Sequence, residues 1–202
     1  MASVSFLALR PTARTLRWPL LALFGAAASV MVWGGGRKGG DPLAYHLPAA
    51  GVLLAVWLAF QTADAAETTL SSSPTSLVRR RLLRTVPSMV AIFALWTGLL
   101  LQANSGAKTG TLSAFFAAVV CVAAASSAMG ERAIGPNRGG PVAIAMLFSV
   151  FVLMPAILRV PLPVDPATDS WMHLYGRWLL IGGGGVIVFL LVCLDPARRV
   201  PR

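Results

Sequence analysis

Acidic residues are scarce in this chain: seven Asp and Glu stand against seventeen Lys and Arg, and only 12% of the 202 side chains are charged. With 56% hydrophobic residues beside them and a mean hydropathy of +0.74, this excludes an ordinary soluble domain, in which about a quarter of residues are charged. Cysteine is rarer still. Cys121 and Cys193 lie inside apolar runs without CxxC spacing or a nearby histidine. That pattern argues against a zinc or redox site and leaves both as small buried hydrophobes. Neither His46 nor His173 has an evident partner for nucleophilic catalysis. No GxxxxGK[ST] motif occurs either, so the sequence shows no phosphate-binding loop of that kind.

Long apolar runs are what the chain does have. A bilayer crossing needs about 17 to 25 mostly apolar residues, and six such runs emerge: 18–34, 43–62, 86–103, 111–129, 141–158 and 177–194. The connections between them carry helix breakers, as in "GGGRKGGDP", "NSGAKTG" and "GERAIGPNRGGP". None is long enough to hold a soluble domain. The expected fold is therefore a single all-α, polytopic membrane domain with six transmembrane helices over residues 1–202.

Basic residues in short loops stay on the cytoplasmic side of a membrane. Twelve fall on one side: Arg10, Arg14, Arg17, Arg79, Arg80, Arg81, Arg84, Arg132, Arg138, Arg198, Arg199 and Arg202. Five fall on the other: Arg37, Lys38, Lys108, Arg159 and Arg177. Both termini are thus expected in the cytoplasm, with the protein in the cell membrane. The net charge of +10, confined to these segments, points to lipid headgroups as a partner and away from nucleic acid. Residues 1–17 mix Phe6, Leu7, Leu9 and Leu16 with arginines, as a helix lying on the inner membrane surface does. A rival reading makes residues 1–29 a signal peptide.

The six run interiors hold no Asp, Glu, Lys or Arg, whereas proton relays and intramembrane catalysis depend on such groups. An enzyme or a gradient-driven carrier is accordingly disfavoured. Gly182, Gly183, Gly184 and Gly185 let a neighbouring helix approach the last run, as packing or as a gate. Pro155 is expected to kink or end the fifth. Trp171, Tyr175 and Trp178 are spaced for a short helix at the outer interface.

The loop from 64 to 85 stands apart. Ser73 and Pro74 form a serine cap with proline in the first helical position. Beyond them Val78, Leu82 and Val86 share one helical face, with Arg79, Arg80 and Arg84 elsewhere on the surface. A short amphipathic cytoplasmic helix between the second and third spans follows.

Glu67, Leu70, Ser73, Pro74, Ser76, Arg79 and Arg84, in that order ahead of a span, resemble the loop between spans two and three in permease subunits of type-2 ABC transporters. The topology is similar over nearly the whole chain; the motif is similar only over residues 64–87. The resemblance implies an N-terminal interfacial helix, six spans and a coupling helix at residues 64–85. That helix, with Arg80 and Arg81 included, docks on a separate ATPase subunit, which binds the ATP and Mg. It also implies pairing with a second permease subunit, as homodimer or heterodimer, and export of a lipid-like, amphipathic or natural-product substrate. The chain departs from the family in being short and in its compact loop between spans five and six. The alternative is a non-transporting six-span scaffold or assembly factor that binds other membrane proteins through small-residue faces.

Overall fold

The structure is a computed structural model that describes residues 18–37, 46–62, 77–135, 138–153 and 171–194. All its regular elements within those residues are helical. They are α1 (Trp18–Arg37), α2 (His46–Thr62), α3 (Leu77–Gln102), a 3-10 turn (Gly106–Lys108), α4 (Thr109–Ala133), α5 (Gly139–Phe148), which continues as a π-helical turn (Ser149–Leu153), and α6 (Trp171–Leu194). Apolar side chains with no water to bind leave the backbone only its own hydrogen bonds, which a helix satisfies within one segment.

Six apolar helices therefore stand where six spans are expected. Three contain stretches long and apolar enough to cross a membrane: Trp18–Gly35, Thr85–Gln102 and Thr109–Ala133. The other three have shorter apolar stretches, His46–Gln61, Gly139–Phe151 and Gly176–Val192. Large hydrophobic side chains line the outside, among them Leu101 at 77% and Leu180 at 78% exposed. A surface of that kind suits lipid better than water, and the chain is accordingly a membrane-embedded, all-helical protein.

Successive helices alternate in direction, as three parallel pairings show. A Cβ on Gly25 of α1 would meet Leu95 of α3, and Gln102 donates to the Ser29 carbonyl oxygen at 3.3 Å, so both residue numbers rise together. Gly51 of α2 faces Phe116 of α4, while Ser127 of α4 donates to the Ala59 carbonyl oxygen at 3.1 Å. Gly182 and Gly185 of α6 face Ala118 and Cys121 of α4 in the same order. Central to the bundle is α4, packed by α2, α5 and α6, with its Leu112, Phe116, Val119 and Ala123 fully buried.

Two turns are fixed by backbone chemistry. After α3, Asn104 adopts a left-handed conformation at φ 49°. Its N–H donates to the Leu101 carbonyl oxygen at 3.1 Å, and Ser105 N–H to that of Leu100 at 3.3 Å. These two bonds close the helix in the Schellman manner and satisfy carbonyls otherwise left bare. After α4, Gly135 reaches φ 124°, a value that side-chain-bearing residues rarely adopt.

Helix boundaries depart from expectation in two places. The basic segment was expected to form a short helix apart from the third span, yet α3 runs unbroken from Leu77 to Gln102 with Pro87 inside it. Proline removes one intrahelical hydrogen bond, a loss that membrane helices tolerate when neighbours supply a donor. The last helix starts at Trp171, so Trp171, Tyr175 and Trp178 belong to α6 and not to a separate interfacial helix. Residues 1–17 and Pro155 lie outside the described residues.

Candidate functional site at the basic end of the bundle

The starts of α1, α3 and α5 and the ends of α2 and α4 share one end of the bundle. Arg79, Arg80, Arg81 and Arg84 lie in the first turns of α3, and the exposed Arg132 and Arg138 flank the α4–α5 turn at that same end. Of the residues expected to couple to an ATPase, these four arginines have described backbone only. Glu67, Leu70, Ser73, Pro74 and Ser76 fall outside the described residues.

Polar groups are buried just inside this end. On α3, Thr85 is 4% and Ser88 0% exposed, and both have interaction partners. The antiparallel register that sets Gly51 against Trp96 brings Trp57 and Gln61 of α2 level with that turn. Trp57 Nε1 and Gln61 Nε2 are buried and find no acceptor among the described residues. Unpaired donors in an apolar interior are unfavourable, so the α2–α3 contact here is less settled than the apolar contact above it.

On α4 the same level holds a carboxylate. Glu131 is 6% exposed and engaged by neighbours. It faces the start of α5, where a Cβ on Gly139 would lie 2.9 Å from Glu131 Cγ and 2.5 Å from the Ser127 carbonyl oxygen. Only glycine permits that approach. A carboxylate beside a helix N-terminus is favoured by the partial positive charge of its free N–H groups. The sequence reading missed Glu131 because it ended the fourth run at 129, whereas α4 reaches Ala133. A signal was present: Ser127 and Glu131 are four apart and continue the face of Ala123 and Ala124.

Aromatic rings connect this end to the rest of the bundle. Trp96 of α3 stacks on Phe116 of α4 with centroids 4.4 Å apart, and Phe93 meets the same ring edge-on at 5.2 Å. The adjacent Phe115 meets Trp178 of α6 edge-on at 4.9 Å and Phe151 of the π turn at 5.6 Å. Phe115 and Phe116 thus join α3 on one side of α4 to α5 and α6 on another.

Trp178 was expected as an outer-interface residue beside Trp171 and Tyr175. It is instead packed inward, partly buried, stacked on Phe151 with centroids 5.6 Å apart. The spacing explains why. Positions 178, 182 and 185 lie on one face of α6, and the two glycines on that face bring it against α4. The side chains of Trp171 and Tyr175 lie outside the described residues.

The four glycines also divide. Gly182 and Gly185 are buried against α4, where a Cβ would lie 3.3 Å from Ala118 Cα and 3.0 Å from the Cys121 carbonyl carbon. Gly183 and Gly184 are exposed with nothing within 4 Å. Cys121, expected to be buried, is half-buried at that contact; the side chain of Cys193 is outside the described residues.

Comparison with known protein families, with characterised proteins and with solved structures finds no match. The functional reading therefore rests on residues and geometry.

Proposed function

We propose that this chain is the permease subunit of an ATP-binding cassette exporter. All six apolar helices cross the cell membrane, and the basic end and both termini face the cytoplasm. The chain is not itself an enzyme. ATP and Mg are bound by a separate ATPase subunit, whose movement reaches the bundle through residues 64–84, and a second permease subunit completes the path. The cargo is lipid-like, amphipathic or a natural product, in keeping with the apolar helix surfaces.

One observation carries this reading: the arginine-bearing turns of α3 are continuous with a helix able to cross the membrane. A load applied at residues 77–84 moves α3 as one body, and the Trp96–Phe116 stack hands the movement to the central helix. An arginine segment that served topology alone would need no such rigid attachment.

Co-expression with the neighbouring genes, followed by mild detergent extraction and affinity purification, tests the proposal. An ATPase subunit should co-purify in stoichiometric amount; its absence from an intact, membrane-inserted preparation counts against a permease.

A second reading, the six-span scaffold, has Gly183 and Gly184 in its favour. Each exposed glycine destabilises a helix by roughly 0.5–1 kcal/mol relative to alanine, which a closely packed partner helix would offset. A scaffold would hold stable membrane partners with no dependence on ATP.

A further inference from the structure

Between α1 and α3 lies an open, predominantly apolar groove of about 840 Å³. Trp18 stands at one end and Ser29 and Gln102 at the other; Gly25, Ala26 and Gly98 are among the small residues that form its walls. We infer that this groove holds one acyl chain of an anionic phospholipid from the bilayer, with the headgroup at the Trp18 end. The inference stands apart from the transport reading, since it needs only that α1 and α3 lie in a membrane.

Length argues for a lipid over a second protein chain. The eleven residue steps from Trp18 to Ser29 span about 16 Å at 1.5 Å per residue, roughly half of the about 30 Å hydrocarbon core. That is the depth of one leaflet, reached by one acyl chain. A helix from another copy would run the full thickness, but the hydrogen bond from Gln102 Nε2 to the Ser29 carbonyl oxygen, at 3.3 Å, ties the two walls together at the far end.

Charge argues for an anionic headgroup. Arg14 and Arg17 directly precede Trp18 in the sequence, and the parallel pairing of Gly25 with Leu95 leaves Arg79, Arg80, Arg81 and Arg84 extending past the Trp18 level on α3. Arginine pairs with phosphate by charge and by its fork of donors. Trp18, 46% exposed, is the residue type that settles at headgroup level. The groove's small side chains then admit a chain of methylenes that larger residues would exclude.

Native mass spectrometry of the detergent-purified full-length protein tests this, with dioleoyl phosphatidylglycerol and dioleoyl phosphatidylcholine added in separate titrations. One phosphatidylglycerol per chain should be retained in preference to phosphatidylcholine. Gly98→Leu has open space for its side chain, and it or Ala26→Leu should lower that retention about tenfold by displacing buried methylenes. Gly184→Leu, on the open face of α6, should leave it unchanged. Exchanging Arg79, Arg80 and Arg81 for glutamine should remove the preference for phosphatidylglycerol but not lipid association itself. Equal retention of the two lipids by the native protein, or native retention in both groove-filling variants, overturns the inference. So does oxidative cross-linking of two chains through Gly98→Cys with Cys121 and Cys193 replaced by alanine, which would place a second copy in the groove.

Discussion

Gly182 of α6 rests on Ala118 of α4 so closely that a Cβ would lie 3.3 Å from the Ala118 Cα. One turn further, Gly185 meets the Cys121 backbone at 3.0 Å by the same measure. In a bilayer, where lipid tails are as apolar as the side chains, helices associate through such close packing more than through hydrophobic burial. This seam fixes α6 and with it the inward position of Trp178.

Gly185→Leu should therefore separate α6 from α4, destabilising the protein by about 1–3 kcal/mol as overpacked sites do. Gly184→Leu, one residue earlier and in open space, should be neutral or stabilising, since leucine favours helix by close to 1 kcal/mol over glycine. Reversible unfolding of the two variants in mixed micelles compares them directly. Equal destabilisation would mean that the four glycines act alike.

Trp96 and Phe116 stack with their rings only 11° from parallel. A double-mutant cycle with Trp96→Leu and Phe116→Leu should give a coupling of about 0.5–1.5 kcal/mol, the usual range for aromatic pairs. Coupling near zero would remove this stack as a mechanical link between α3 and the central helix.

Gly139→Ala should destabilise the α4–α5 hairpin by about 1–3 kcal/mol, because its new methyl would press on the backbone oxygen of Ser127. Ser127→Ala loses only the bond to the Ala59 carbonyl oxygen, worth about 0.6 kcal/mol on average within membranes. Thermal unfolding in detergent should rank the glycine change as the more damaging. The reverse order would mean that the polar contact, and not close approach, holds this corner.

Much of this architecture was legible because apolar runs and breakers are local signals. The expected start of the first run at 18 and the end of the second at 62 coincide with α1 and α2, and the "NSG" breaker closes α3 through Asn104. What escaped depends on neighbours. Pro87 reads as a boundary, yet α3 passes through it. Trp178 has the look of an interface residue by composition, and only the seam made by Gly182 and Gly185 turns it inward. Glu131 sits beyond the apolar run as counted, and its burial follows from α5 folding back over it at Gly139. The candidate coupling residues show the same divide: a motif along the chain locates them, while their effect depends on the continuity of α3.

The central claim is that residues 77–84 receive an ATPase. A photo-cross-linking amino acid at Arg80 in the full chain, expressed in its own membrane with its neighbouring genes and irradiated before extraction, tests it most directly. Mass spectrometry of the adduct should identify a nucleotide-binding ATPase subunit, and Arg79→Glu with Arg81→Glu should abolish the adduct while the protein remains in the membrane. An adduct with lipid alone, or with a membrane protein that binds no nucleotide, would contradict the account.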